Sequence, residues 1–220
     1  ELSQVHQLLS SPQCRLLTLT GPGGIGKTRV ALQAARNASE GLRSVFPDGV
    51  YYLSLTALDS SEYLAPTIAS ALGYVFFGQD EPGAQIIRYL QEKRILILLD
   101  NFEHLVGGVD LITGLLEHSH GVKLLITSRE RLNVQAEWVF EVMGLPVPST
   151  DGHVELAELE SYSSVALFLN TARRVSPGFE LDPDNAGDIL AICRALEGMP
   201  LGIELAASLV RALTCAEIAD

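Results

Sequence analysis

Gly21-Pro22-Gly23-Gly24-Ile25-Gly26-Lys27-Thr28 fits the pattern G-x-x-x-x-G-K-[ST] at every fixed position. The residues on either side supply the context this pattern requires. Leu16-Leu17-Thr18-Leu19-Thr20 is a short apolar, strand-like run, and Arg29 to Ala38 is alanine-rich and helical. Strand, glycine loop and helix in this order form a phosphate-binding loop. The glycines let backbone N–H groups converge on an anion, and the helix that follows directs its partly positive N-terminus at the same point. Lys27 is then placed to reach the β- and γ-phosphates and Thr28 to hold Mg²⁺. A purely structural glycine turn needs neither Lys27 nor Thr28 at these offsets.

A second stretch carries the complementary signal. Arg94-Ile95-Leu96-Ile97-Leu98-Leu99-Asp100 contains five consecutive apolar residues and then turns polar. Such a run suits a strand buried on both faces, as in a parallel sheet, and ligands of open α/β sheets bind at the carboxyl edge. Asp100 is thereby positioned to hold Mg²⁺ through water, as the acid of a Walker B strand does. Val122-Lys123-Leu124-Leu125-Ile126-Thr127 reads as another buried strand, closed by Ser128-Arg129-Glu130. Position alone leaves two readings for Arg129: a contact to a γ-phosphate, or a solvated surface charge.

The remaining segments complete an α/β pattern. Leu2 to Ser10 has helical spacing, Val50 to Leu55 and Trp138 to Val142 read as strands, and Tyr63 to Leu72, Ala84 to Gln91 and Val109 to Glu117 read as helices. In the loop Gly73 to Gly83, the pair Phe76-Phe77 is expected to be buried. Strands joined through helices predict a three-layer α/β domain with a five-stranded parallel sheet. Leu145 to Gly152 is linker-like, and beyond it only helical patterns remain: about Ser161 to Val175, Pro183 to Leu196 and Leu201 to Leu213. Pro183 is expected in the first turn of its helix. The predicted organisation is a nucleotide-binding domain over 1–150 and a small helical domain over 151–220.

Composition narrows the class. The 220 residues are 47% hydrophobic and 19% charged, enough apolar material for a sizeable core. A net charge of −12 argues against a broad electrostatic grip on nucleic acid or an anionic membrane. No apolar stretch approaches the ~20 residues of a membrane span, and no signal peptide is evident. Cys14, Cys193 and Cys215 are odd in number and without a CxxC pair, which predicts reduced thiols in a cytoplasmic protein. The five histidines are scattered or, like His118 and His120, two apart, and form no metal-ligand pattern.

With these residues in place, the chain resembles the STAND-class NTPases, in particular the NB-ARC-like predicted ATPases of large bacterial regulators. Five stretches carry the likeness in order: Leu16 through Ala31, Phe46-Pro47-Asp48-Gly49-Val50-Tyr51, Leu98-Leu99-Asp100-Asn101-Phe102-Glu103-His104-Leu105, Leu125-Ile126-Thr127-Ser128-Arg129-Glu130, and Glu197-Gly198-Met199-Pro200-Leu201 through Ala207. The resemblance implies ATP/ADP and Mg²⁺ as cofactors, with Gly21 to Thr28 and Arg29 around the nucleotide. Ser128-Arg129 is similar to the family's sensor motif, which favours the γ-phosphate contact for Arg129. Gly198-Met199-Pro200-Leu201 is similar to the GxP motif, whose proline lies against the adenine; the fixed φ of Pro200 also suits a helix start. The implied machine is a switch: ADP between the two domains holds them closed, and ATP exchange permits opening and self-association.

The chain departs from this pattern at one acid. Many relatives carry a second carboxylate directly after the Walker B aspartate, where this chain has Asn101. An amide cannot accept a proton at neutral pH, so hydrolysis is expected to be slow unless Glu103 supplies the base. The family's upstream Gly-Arg-Glu-like motif and the winged-helix domain that follows the helical domain are expected to lie outside this fragment. Two other classes remain open: a steadily turning-over NTPase or phosphotransferase, and an interaction scaffold with a vestigial loop. No Asn-Lys-x-Asp motif speaks for guanine.

Overall fold

The apolar runs become a wholly parallel five-stranded sheet in the computed structural model, which describes residues 1–148 and 156–220. In chain order the elements are α1 (Leu2–Ser10), β1 (Leu16–Thr20), α2 (Lys27–Gly41), β2 (Val50–Ser54), α3 (Leu64–Leu72), α4 (Pro82–Leu90), β3 (Ile95–Asp100), α5 (Val109–His118), β4 (Val122–Thr127) and β5 (Glu137–Glu141), then the helices α6 (Leu156–Leu159), α7 (Ser163–Val175), α8 (Ala186–Ala195), α9 (Pro200–Ser208) and α10 (Cys215–Ala219). The sheet order is β2-β3-β4-β1-β5. Two compact units result: Glu1–Pro22 with Lys27–Val142, and Gly23–Gly26 with Met143–Asp220. The expected boundary near residue 150 lies outside the described residues.

In the first unit, burial sorts the strands. Every residue of β3 and β4 is buried, as two-sided cover in a parallel sheet requires, whereas the edge strands β2 and β5 are half exposed. Tyr52 on β2 and Trp138 on β5 are 46% and 42% exposed. Ile95 to Leu99 are all nearly inaccessible. Burial of such side chains contributes about 1.5–3 kcal/mol each, so it is this run that fixes where β3 ends and hence where Asp100 stands.

One charge interrupts the apolar core. Lys123, in β4, is buried, and its Nζ donates to the carbonyls of Leu9 and Ser11, both at 2.7 Å. It satisfies acceptors at the C-terminal end of α1 that the helix itself leaves unpaired. Burial pushes the Lys123 ammonium below the ordinary lysine range.

The second unit has its own core, in which Phe168, Leu169, Ile189, Ile192 and Ile203 are packed with less than 3% exposure. A backbone crossing organises it. Leu145 N–H donates to Gly198 O at 2.8 Å, Gly198 adopts φ 69°, and a Cβ there would collide with Leu145 O. Only glycine fits that approach.

Two expectations need correction. Phe76 is half-buried against the core, but Phe77 is 69% exposed. Gln85 holds the loop by its own polar atoms, accepting from Phe77 N–H and donating to Asp80 O, so the loop needs no Phe77 side chain in the core. Pro183 also lies outside α8. Asp182 Oδ1 accepts from the N–H groups of Asp184 and Asn185, forming a local turn that delays the helix to Ala186. Among the described residues, no helix is long and apolar enough to cross a membrane.

Candidate functional site

The glycine loop has the backbone its sequence demands. Gly21, Gly24 and Gly26 have φ of 144°, 81° and 105°. At Gly26 a Cβ would meet nothing, so the need for glycine there is conformational. Lys27 opens α2, and its Nζ donates to Gly21 O at 2.8 Å and Pro22 O at 3.0 Å. Desolvation pushes its ammonium below the ordinary lysine range; Arg129 adds to this, while the carboxylates of Glu103 and Asp100 oppose it.

Thr28 and Asp100, 72 positions apart, meet: Thr28 Oγ1 donates to Asp100 Oδ1 at 2.8 Å. This convergence follows from the register of β3 and from α2 starting directly at the loop. A hydroxyl and a carboxylate suit Mg²⁺, which takes few protein ligands and completes its shell with phosphate and water. The residues present thus fit Mg²⁺ with a nucleotide phosphate. Among the described residues there is no group of three or more His, Cys, Asp or Glu that could hold a metal.

Asp100 is 4% exposed and has two partners that the sequence did not single out. Thr127, the last residue of β4, donates to Oδ1 at 2.6 Å, and Tyr52 of β2 lies 3.4 Å from Oδ2. A signal for Thr127 was present in the sequence: β4 ends its apolar run on a polar residue as β3 does, and adjacent parallel strands bring those ends together.

Beyond Asp100 the chain turns sharply. Asn101 adopts the left-handed conformation, φ 66° and ψ 55°, which asparagine tolerates better than most residues. The short 3₁₀ turn Phe102–His104 follows, pinned by buried Phe102 and by His104 Nε2, 3.0 Å from Leu55 O. This turn carries Glu103. Its Oε1 pairs with Arg129 Nε at 3.2 Å, whereas its Oε2 is buried without a hydrogen-bond partner. Arg129 is 68% exposed at its side chain, so the pair is a surface one of modest strength. Asn101, Glu103, His104, Ser128 and Arg129 are among the residues lining a cavity of about 680 Å³.

The predicted residues therefore divide. Lys27, Thr28, Asp100, Glu103 and Arg129 belong to the first unit. Gly23, Gly24, Ile25 and Gly26 fall within the second, where Leu201 N–H donates to Gly24 O at 3.2 Å and a Cβ on Gly24 would press on the Leu201 side chain at 2.7 Å. Pro200 occupies the first turn of α9. Arg29 follows Thr28 in α2 and is exposed.

Comparison with known proteins bears on this arrangement. A protein of Mycobacterium tuberculosis (strain ATCC 25618 / H37Rv), whose provisional name is HTH-type transcriptional regulator Rv0890c, is 38% identical over 213 residues. That match covers 94% of this chain but only 22% of the relative, so the chain spans about a fifth of that protein's length. Among solved structures, a chain of Drosophila ORC bound to DNA aligns with TM-score 0.63 at 14% identity, covering 99% of this chain and 58% of that one. The STAND protein with a tetratricopeptide repeat sensor from Pyrococcus horikoshii aligns with TM-score 0.53 at 18% identity, covering 90% of this chain and 28% of that one. At such identities these structures share the fold. The NB-ARC domain model matches residues 1–142, most of the chain, and the chain belongs to the NB-ARC family of STAND-type P-loop NTPases.

Proposed function

We propose that the chain is a Mg²⁺-dependent ATP/ADP switch module of a signalling or transcriptional regulator. The observation that carries this reading is the meeting of Thr28 Oγ1 with Asp100 Oδ1 beside a loop of positive-φ glycines. Lys27, Thr28 and the loop from Gly21 to Gly26 hold the phosphates, Thr28 and Asp100 hold the metal, and Arg129 contacts the γ-phosphate. Arg29, Pro200 and Leu201 complete the nucleotide set. Bound Mg²⁺ supplies charge neutralisation at the phosphates. The domains of this reading are 1–150, nucleotide-binding, and 151–220, helical; nucleotide state controls their opening and self-association.

Hydrolysis is slow in this reading because Asn101, directly after Asp100, offers no base; what turnover there is runs through Glu103, a stand-in base three positions beyond Asp100 whose Oε2 has no hydrogen-bond partner to displace. The net charge of −12 argues against direct nucleic-acid binding by this chain. Three buried thiols, Cys14, Cys193 and Cys215, suit a cytoplasmic setting.

The test is a titration with labelled ADP and ATP. Lys27→Ala removes a charge-assisted phosphate contact worth on the order of 1.5–3 kcal/mol, so affinity drops tenfold or more. Unaltered affinity, or no binding by the wild type, refutes the reading. Turnover near or above about one per second, the ordinary enzyme range, would instead favour a steadily acting NTPase, and self-association indifferent to nucleotide would favour a scaffold.

A further inference from the structure

We infer that Thr127 is a positioning residue for the metal-holding acid; the inference rests on the Mg²⁺-nucleotide reading above. Thr127 is fully buried at the end of β4. Its Oγ1 lies 2.9 Å from the backbone N of Asn101 and 2.6 Å from Asp100 Oδ1. The direction of this chain of hydrogen bonds is fixed by chemistry. A backbone N–H can only donate, so the hydroxyl accepts from Asn101, and its single proton goes to Asp100. A hydroxyl that accepts in this way is a stronger donor, and the neighbouring side chains Leu99 and Ile126 are fully buried, so little water competes.

The consequence concerns orientation. Asp100 Oδ1 receives two hydroxyl protons, from Thr28 and from Thr127. Thr28 is itself a metal ligand in this reading and is committed to the ligand side. Thr127 faces no ligand in its role and holds the carboxylate from the strand behind. The same hydroxyl anchors the left-handed backbone of Asn101, from which the turn bearing Glu103 departs. One buried hydroxyl therefore sets both the rotation of Asp100 and the exit direction of the segment after it.

A merely structural threonine and a positioning one differ in what metal does. Affinity for a fluorescent ADP analogue is measured in Mg²⁺ and in EDTA for the wild type, Thr127→Val and Thr127→Ser, with melting temperatures alongside. Valine keeps the branched shape and loses the hydroxyl, whereas serine keeps the hydroxyl. The ratio of the two affinities should fall about tenfold in Thr127→Val, the worth of one hydrogen bond to a charged group. Affinity in EDTA should stay within about twofold, and Thr127→Ser should recover most of the ratio. Should Thr127→Val not fold, Thr127→Cys, with its weak S–H donor, reads the same ratio and should lower it. An unchanged ratio in the variant lacking the hydroxyl, an equal loss in both buffers, or a serine variant no better than valine overturns the inference. If the wild type binds in neither buffer, the nucleotide reading itself fails; if it binds without any gain from Mg²⁺, the metal part of that reading fails and takes this inference with it.

Discussion

Asp100 and Glu103 stand three positions apart where β3 runs out, and their surroundings are built on opposite plans. Around Asp100 the hydrogen-bond donors are neutral hydroxyls: two on Oδ1 at 2.8 and 2.6 Å, from half-buried Thr28 and buried Thr127, and a third, longer approach to Oδ2 from Tyr52. Around Glu103 the partner is a charge on a largely exposed side chain, and one oxygen has no partner at all. Thr127, fully buried on the adjacent strand β4, holds its hydroxyl on Asp100 from within the sheet, so the Asp100 corner is pre-organised. The Arg129–Glu103 pair costs little to open, because exposed ion pairs contribute about 0–1 kcal/mol. A residue expected to exchange partners belongs in the second setting, and a residue expected to stay fixed belongs in the first.

Three substitutions break this contrast in decreasing order of effect. Glu103→Gln keeps the size and removes the base, so single-turnover hydrolysis should slow by roughly 10²-fold or more, with nucleotide affinity within about twofold; equal rates in variant and wild type would remove Glu103 from the chemistry. Asp100→Asn should lower affinity in Mg²⁺ by about tenfold to a hundredfold, the worth of one charged contact, and change affinity in EDTA far less. Calorimetric titration in both buffers checks it. Tyr52→Phe should change Mg²⁺-dependent affinity by no more than about threefold, since a 3.4 Å O···O separation is long for a hydroxyl bond. A loss as large as that of Asp100→Asn would mean that Tyr52 moves onto the acid when ligand binds.

The contrast also marks what a sequence can disclose. The loop, β3 and β4 were legible because their signals are local: fixed spacing from Gly21 to Thr28, and unbroken apolar runs whose burial the sheet reproduces. Glu103 was nameable as a stand-in base, yet its ion pair with Arg129 was not, because that pair depends on how a 3₁₀ turn and the end of β4 approach in space. Thr127 and Tyr52 reach Asp100 through strand register, with Leu99 opposite Ile126 and Ser54 opposite Asp100, and register is a property of pairs of segments. Pro183 and Phe77 failed for a related reason. Side-chain bonds from Asp182 and Gln85 to nearby backbone outweighed the preference of a single residue.

The half-exposed Trp138 gives the molecule an optical asymmetry. It is the one tryptophan in 220 residues, and it stands in register with Leu17 on the strand that feeds the glycine loop. The segment Met143–Asp220 contains none. Indole emission during heating or denaturation therefore follows the melting of the sheet alone, whereas far-ultraviolet circular dichroism sums over both units. Coincident curves would mean that the chain unfolds as one cooperative block, and separated curves that the helices melt on their own schedule. No label is needed to tell these apart.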